Sequence, residues 1–309
     1  MEMIKGVTFK LEYNKLQPFA GEETKKSLIE LVKTTACNTI ILAFGALQDT
    51  PQSETIDYVG KYTPTETEIE QVIGYARELG QKVILKPMLN CRNGVWRAHI
   101  NFFDLEVPCE PCWSKWFQNY TDYILKFAAL AQRTKCEMYM VGCELVQTER
   151  KEMYWRNLIA KVRGVYKGLL TYNTDKYQEA EVKWWDSLDV ISSSGYYPQS
   201  AWKKNLDRIS KVVEQYKMPF FFAECGCMCV RGCEEVPNDW TFEGEIDETV
   251  QQEYYRVMFE ETAAYPFVGG FGIWDWQSDY RLHLPERRGY SIYHKPAQKI
   301  ISEFYKSAL

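Results

Sequence analysis

The chain alternates between short, continuous apolar runs and longer amphipathic segments. Runs such as residues 40–44 and 220–223 show no alternation of apolar and polar positions. That pattern is typical of strands covered on both faces. The intervening segments repeat apolar residues every three or four positions, which predicts amphipathic helices. We therefore predict parallel strands, because a helix after each strand returns the chain to the same end of the sheet.

The pattern predicts eight strands, at residues 4–13, 38–47, 82–90, 136–145, 168–174, 188–197, 218–225 and 268–276. It predicts helices at residues 24–35, 66–79, 113–133, 153–166, 202–216, 248–264 and 296–305. We expect the strand–helix unit to repeat eight times, which suits a single, closed (β/α)8 TIM barrel over residues 1–309. No glycine-rich dinucleotide fingerprint follows the first strand, which argues against an open doubly wound sheet.

Length and composition agree with a globular barrel, since 309 residues suit a barrel of roughly 250 residues with insertions. The net charge is −5 and no basic tract stands out, so we expect no nucleic-acid partner. No apolar run approaches the ~20 residues that a membrane span requires, so no membrane partner is expected. Because no signal peptide is visible, we predict a cytoplasmic protein. Aromatic residues reach 15%, an excess that often lines carbohydrate grooves, although cores use aromatics too.

The ten cysteines include two local clusters, at residues 109–112 and 225–233. Their spacing is compatible with a structural zinc ion in one loop or with local disulfides. Free thiols are the favoured interpretation, because nothing in the sequence indicates export. Only three histidines are present, which makes a catalytic zinc improbable. We therefore predict no metal and no cofactor.

Two long connections follow the third and seventh predicted strands, at residues 91–112 and 226–247. Both begin at the carboxyl ends of strands, which is the face where barrel enzymes place their active sites. Long connections without regular structure are usually functional or mobile. We therefore look for chemistry at this end of the barrel.

Glu144 and Glu224 each end an apolar run, at the fourth and seventh strands. Burying a carboxylate is costly unless the group has partners or a function, and a nearby lysine or arginine could be such a partner. At the same end of two barrel strands, however, the two glutamates would face each other across the cavity. Glycoside hydrolysis requires such a pair, one carboxyl to protonate the leaving oxygen and the other to attack or to activate water.

Several short motifs have the order and spacing of a known family. They are GVWRAHI at 94–100, GCE at 142–144, SGYYP at 194–198, AECG at 223–226, GIWDW at 272–276 and YSIYHKPA at 290–297. With them, nearly the whole chain resembles glycoside hydrolase family 113. That family belongs to clan A, the retaining glycosidases with (β/α)8 barrels, and its known members are β-mannanases.

The resemblance implies that Glu144 is the general acid/base and that Glu224 is the nucleophile. Cys143 stands where most of clan A has an asparagine that binds the 2-hydroxyl of the sugar, and this agrees with family 113. A thiol is a poorer hydrogen-bond partner than an amide, and Cys143 could instead be a small buried filler. Tyr196 would donate its hydroxyl to Glu224, although the adjacent Tyr197 is a second possibility.

The resemblance also implies that Trp274 forms the floor on which the sugar stacks. Trp276, two residues further on, should face the same side and is a second candidate. Asn90 and Arg97 would bind sugar hydroxyls from the loop after the third strand. Arg97 could instead form an ion pair that anchors that loop.

We therefore predict a retaining endo-β-1,4-mannanase that acts on mannan or manno-oligosaccharides, with a β-linked glycan as its partner and no cofactor. Another clan A glycosidase, of the glucosidase, xylosidase or galactosidase type, is the first alternative. A barrel that binds sugar without cleaving it is the second.

Overall fold

The structure is a computed structural model that describes residues 2–13, 18–279, 281 and 287–307. Eight parallel strands close into a barrel in chain order, which confirms the predicted (β/α)8 fold. The strands are β1 Ile4–Leu11, β2 Thr39–Gln48, β3 Lys82–Cys91, β4 Met138–Cys143, β5 Leu169–Thr174, β6 Val190–Ser194, β7 Phe220–Cys225 and β8 Val268–Gln277.

Within the described residues, seven α-helices surround the strands. They are α1 Glu22–Thr35, α2 Glu66–Glu78, α3 Trp113–Arg133, α4 Glu152–Val165, α5 Trp202–Tyr216, α6 Glu248–Ala263 and α7 Pro296–Ser307. Local signals account for several helix starts. At α2, for example, Thr65 and Glu68 form a reciprocal capping box. A membrane-spanning helix is not found among these residues, since none is both long and apolar enough.

The expected eighth helix is missing, because the connection from β5 to β6 holds only the short 3-10 helix Trp185–Ser187. Trp184 and Trp185 are fully buried in this connection. The Trp184 ring stacks on Trp155 of α4 at 4.8 Å between centroids, and its indole donates to the Glu149 carbonyl at 3.0 Å. The two indoles thus provide the apolar cover that a helix provides elsewhere, and the prediction of eight regular repeats was wrong here.

Strands β4 and β6 are shorter than the apolar pattern predicts, and both end earlier. Glu144 has φ +50°, so the chain leaves the extended conformation directly after Cys143. Glu144 therefore follows β4 rather than ending it, whereas Glu224 lies inside β7. The apolar pattern continues past both strand ends because the following residues are also buried.

The barrel interior changes from apolar to polar along its axis. An apolar cluster packs inside the barrel, formed by Ile4, Ile41, Ile84, Met138, Met140, Val190, Phe221 and Ala223. Nearer the carboxyl ends, Lys86, Asn173 and Glu224 are hydrogen-bonded to one another through the Lys86 amine. These polar side chains therefore pack on the apolar layer inside the barrel.

Candidate active site

A cleft of about 850 Å³ opens at the carboxyl ends of the strands. Its walls include residues from both long connections, at 94–97 and 236–241. Six of the predicted site residues line it: Asn90, Arg97, Glu144, Tyr196, Glu224 and Trp274. The seventh, Cys143, is buried directly beside Glu224, with its Sγ atom 3.3 Å from the carboxylate.

Glu224 is buried and accepts hydrogen bonds from three different side chains. The Lys86 amine forms an ion pair with its Oε1 atom, and the Cys143 thiol contacts the same oxygen. The Tyr196 hydroxyl donates to Oε2 at 3.0 Å. Burial raises the pKa of Glu224, but the positive charges of Lys86 and Arg97 outweigh it and hold that pKa below its usual value.

Lys86 is the partner of Glu224 that the sequence analysis did not identify. It is fully buried on β3 and also donates to Asn173 Oδ1 at 2.8 Å. A signal was present, since Lys86 is the one charged residue inside the apolar run 83–89. The reasoning that singled out a glutamate after an apolar run applies equally to a lysine within one.

Glu144 sits on a strained turn that aims its carboxyl into the cleft. The left-handed backbone costs about 1–3 kcal/mol in a residue other than glycine and is found most often at functional sites. The Glu144 amide donates to the Asn173 carbonyl at 2.7 Å, which ties the turn to β5. Its carboxylate accepts from Arg97 at 2.9 Å, from Ser194 at 2.7 Å and from the Trp96 indole at 3.4 Å.

Arg97 lies in the 3-10 helix Arg97–His99 and connects three of the predicted residues. Its guanidinium donates to Asn90 at 2.7 Å, to Glu144 at 2.9 Å and to the Cys143 sulfur at 3.6 Å. The ion pair considered for Arg97 therefore exists, but its partner is Glu144. Within the described chain the Nε atom of Arg97 has no hydrogen-bond partner. Arg97 thus lines the cleft and also holds neighbouring side chains of its wall in place through these hydrogen bonds.

The two neighbouring tyrosines after β6 point to opposite sides. Tyr196 faces Glu224, as described above, whereas the Tyr197 hydroxyl donates to Glu179 behind the barrel wall. Arg208 pairs with the same Glu179 carboxylate at 2.6 Å. Tyr197 is therefore part of a buried structural network and does not line the cleft.

Trp274 lines the cleft, but Trp276 does not, and the expectation that both face the same side was wrong. The three residues Val7–Phe9 of β1 are opposed by the four residues Ile273–Trp276 of β8. This β-bulge inserts one residue and so breaks the alternation of side chains along the strand. Trp276 is instead fully buried and donates to the Ser27 hydroxyl at 2.9 Å.

Trp274 is half-buried and packs on the side-chain cluster of Ala43, Met88 and Cys143. The Lys86 amine lies 5.6 Å from its ring centroid. A second cavity of about 470 Å³ shares Asn90, Arg97 and Trp274 with the cleft and includes Tyr62 on its walls. On the other side, Trp96 and Trp240 meet edge to face at 6.2 Å, and the Trp240 side chain is 58% exposed. Aromatic side chains therefore line both the cleft and the adjacent cavity.

Several further polar residues of this site carried weaker signals in the sequence. Asn173 and Ser194 are fully buried at the ends of β5 and β6, and Asp175 follows β5 on the cleft wall. They stand in short strands that already contain polar residues, so a single polar side chain does not stand out. The predicted strand order would have placed them at the correct end of the barrel.

The cysteine clusters do not form a metal centre in the part of the chain that the structure describes. There, no three His, Cys, Asp or Glu side chains come together to hold a metal ion. All ten cysteines are free thiols. Cys227 and Cys233 are buried, and their thiols contact the Met228 carbonyl at 3.4 Å and the Val236 carbonyl at 3.9 Å, respectively.

Comparison with known proteins gives one consistent family. Residues 7–295 match the model of Glycoside Hydrolase Family 113. A solved complex of a GH113 β-1,4-mannanase shares 50% identity over 99% of this chain and 100% of that chain, with a TM-score of 0.96. The GH113 β-mannanase AaManA from Alicyclobacillus acidocaldarius, in complex with ManMIm, shares 34% identity over 100% of this chain and 99% of that chain, with a TM-score of 0.94.

A β-glucuronidase from Ruminococcus gnavus shares the fold alone, at 15% identity and a TM-score of 0.66 over 98% of this chain and 50% of that one. No curated protein sequence matches the chain significantly. The barrel, the paired glutamates and the match over nearly the full length agree with the family that the sequence motifs predict. This chain belongs to glycoside hydrolase family 113.

Proposed function

We propose that this protein is a retaining endo-β-1,4-mannanase that hydrolyses mannan or manno-oligosaccharides through Glu144 and Glu224. The observation that carries the proposal is the pair of buried glutamates, one directly after β4 and one in β7, that face one aromatic-walled cleft. The assignment of mannan is supported by the two similar GH113 structures, which are named β-mannanases.

In the first step, the Glu224 carboxylate attacks the anomeric carbon while Glu144 donates its proton to the leaving oxygen. Lys86 and Arg97 favour the ionised form of Glu224 that this attack requires. Tyr196 fixes the orientation of the carboxylate by its hydrogen bond to Oε2. The products are a covalent glycosyl ester on Glu224 and a released sugar chain with a free hydroxyl group.

In the second step, the Glu144 carboxylate takes a proton from water, and the resulting hydroxide equivalent attacks the anomeric carbon. Glu224 then leaves as a carboxylate, so the sugar retains its configuration. Arg97 and Ser194 stabilise the Glu144 carboxylate between the two steps through the hydrogen bonds they donate. No cofactor takes part in this two-carboxylate mechanism.

The surrounding residues would bind the sugar that reacts. Trp274 offers an aromatic face on the cleft wall, and apolar C–H faces of sugars pack on such rings. Asn90 and Arg97 offer amide and guanidinium donors to hydroxyl groups. Cys143 lies beside the nucleophile, where the 2-hydroxyl of a bound sugar would approach. A small, neutral thiol there leaves more room than an asparagine.

Product analysis on mannohexaose, with wild type and Glu224→Ala compared, tests the proposal. We expect wild type alone to release shorter manno-oligosaccharides, and the product sizes will separate endo from exo cleavage. Values of kcat/KM on aryl β-mannoside, β-glucoside and β-xyloside then measure sugar specificity. Cleavage of only a non-mannose glycoside, still dependent on Glu224, would retain the mechanism and reject the mannan assignment.

We also propose that residues 1–309 act as one catalytic domain and that the protein works in the cytoplasm. The first proposal rests on the continuous strand–helix repeat. The second rests on the ten cysteines, because free thiols are typical of a reducing compartment. Limited proteolysis tests the first, since one domain should yield no stable active fragment. Cell fractionation with an antibody tests the second.

A further inference from the structure

Trp240 lies on the cleft wall, yet the mechanism above gives it no role. It comes from the connection 226–247 and is 58% exposed. Trp96, from the other long connection, meets it edge to face with 6.2 Å between the ring centroids. We call these two residues the aromatic pair. Their contact leaves most of Trp240 in water, which costs free energy that a ligand packed on the ring would recover.

The loop tip that carries Trp240 is held in place by hydrogen bonds. The Tyr290 hydroxyl donates to the Pro237 carbonyl at 2.6 Å. The Asp239 carboxylate accepts from the Thr241 amide at 3.0 Å and from the Thr241 hydroxyl at 2.6 Å. The ring therefore has a defined position before a ligand binds, which lowers the entropy cost of binding.

The contacts of Trp96 place the aromatic pair beside the proposed general acid. The Trp96 indole donates to Glu144 Oε2 at 3.4 Å. The Trp274 ring instead lies 5.6 Å from the amine of Lys86, the cation that pairs with Glu224. In a retaining glycosidase the acid protonates the leaving oxygen, whereas the nucleophile bonds to the anomeric carbon of the retained sugar. The aromatic pair thus belongs to the leaving-group side of the cleft, and Trp274 to the side of the retained sugar.

Polar groups suited to sugar hydroxyls flank Trp240 on the cleft wall. Asn238 offers an amide that can both donate and accept hydrogen bonds, and the Thr241 hydroxyl can accept one. A pyranose ring presents apolar C–H groups on its faces and hydroxyl groups around its edge. An aromatic ring flanked by an amide and a hydroxyl is complementary to both. The chemistry of the loop tip therefore favours a sugar ring as its ligand.

We propose that Trp240 forms a subsite for the sugar on the leaving side of the cleaved bond, a β-linked hexopyranose such as mannose. This sugar stacks on Trp240 while the oxygen of the cleaved bond lies within reach of Glu144. The inference rests on the proposed function, because it takes Glu144 as the general acid. Trp240 touches neither the anomeric carbon nor the transferred proton, so its role is to bind the leaving sugar.

The test compares wild type with Trp240→Ala on two substrates that share a mannobiosyl group on the retained side. Mannotetraose carries sugars on the leaving side, whereas β-mannobiosyl fluoride carries a single fluorine atom there. We expect the ratio of kcat/KM on mannotetraose to kcat/KM on the fluoride to fall by about 10-fold, because only mannotetraose loses a stacking contact. Trp240→Phe retains an aromatic face and should recover most of the ratio.

Ile246→Ala is the matched control, since Ile246 is a similarly exposed residue of the same connection that lies outside the cleft wall. It should leave the ratio at the wild-type value. An unchanged ratio in Trp240→Ala, including equal losses on both substrates, would overturn the proposal. A higher ratio would also overturn it, because the ring would then obstruct the leaving side.

A second measurement does not depend on turnover. Isothermal titration of mannohexaose into Glu144→Gln, which lacks the proposed acid, should give a Kd about 10-fold higher when Trp240→Ala is added. An unchanged Kd would overturn the subsite even if wild type is active. If wild type cleaves none of the mannosides while the Kd still depends on Trp240, the proposed function fails and the sugar-binding role of Trp240 stands.

Discussion

Lys86 and Glu224 form a buried ion pair between strands β3 and β7 at the base of the cleft. Removing one partner of such a pair leaves an uncompensated charge, which typically costs about 3–5 kcal/mol. The pair therefore both keeps Glu224 ionised and stabilises the barrel. Its members are separated by 138 positions in the chain, so no local pattern could pair them.

We expect Lys86→Met to move the acid limb of kcat/KM to higher pH and to lower kcat/KM at pH 6 by about 100-fold or more. The pKa of Glu224 is held low by Lys86, so loss of this cation should let Glu224 protonate at higher pH. Lys82→Met, on the same strand but exposed and paired with Glu2, is the matched control. An acid limb at the wild-type position in a folded Lys86→Met enzyme would contradict the role given to Lys86.

The two adjacent tyrosines after β6 provide a second comparison at the level of single residues. Tyr196→Phe removes the hydrogen bond to Glu224, the proposed nucleophile, and should lower kcat by about 10-fold or more with little change in melting temperature. Tyr197→Phe leaves buried Glu179 short of a donor and should destabilise the fold by about 1–3 kcal/mol. Denaturant unfolding and kcat per folded molecule measure both effects. If Tyr197→Phe instead lowers kcat and Tyr196→Phe lowers stability, then Tyr197 rather than Tyr196 supports the active site.

Among the elements, the β5–β6 connection shows how side chains can replace a helix. Trp184 stacks on Trp155 of α4 and supports the turn that carries Glu149 through its indole hydrogen bond. The sequence of the β5–β6 connection has no helical periodicity. Its buried residues include two consecutive tryptophans, whereas a helix would have apolar residues spaced by three or four positions. The connection also begins with Asp175, so its packing positions a residue of the cleft wall.

We expect Trp184→Ala to destabilise the barrel by about 3–5 kcal/mol through the cavity it leaves. Trp184→Phe, which fills part of the space but lacks the N–H donor, should cost less. Thermal and denaturant unfolding measure the difference. If Trp184→Ala unfolds like wild type, the tryptophan is not the structural substitute for the absent helix.

The bulge in β8 is the second feature decided at the level of elements. It turns Trp274 toward the cleft and Trp276 into the core, although both occupy alternate positions of one apparent strand. A period-two argument assumes an unbroken ladder, and one inserted residue reverses the face of every later side chain. The choice between the two tryptophans therefore required the register of β8 against β1.

For the whole molecule, buried carboxylates link stability to pH. Glu149 lies near the end of β5 with its Oε1 atom bonded to Tyr172 and Thr174. Within the described chain its Oε2 atom has no partner. Burial raises the pKa of Glu149 to about 8, above its value in the unfolded chain. The folded protein then binds the extra proton, so this residue's contribution to stability falls as pH rises from about 4.5 to 8.

We therefore expect Glu149→Gln to reduce the loss of stability between pH 5 and pH 8, because glutamine stays neutral over the whole range. The free energy of unfolding at several pH values, from denaturant titration, measures this slope. Exposed Glu152→Gln, three residues along the chain, is the control and should retain the wild-type slope. A slope equal to that of wild type in Glu149→Gln would show that folding does not raise the pKa of Glu149.

The order of elements, the parallel strands and the end of the barrel that carries the chemistry follow from the sequence by itself. Apolar periodicity is a local property of the sequence and can be read without the fold. A carboxylate directly after an apolar run is also recognisable locally, because burying it costs free energy unless it has a partner or a function. Only the tertiary structure decided which groups meet: Lys86 with Glu224, Arg97 with Glu144, and Trp274 rather than Trp276 at the cleft. Closure of the barrel and the bulge in β8 set these contacts, and both depend on strand register, which hydrophobic patterning does not specify across distant segments.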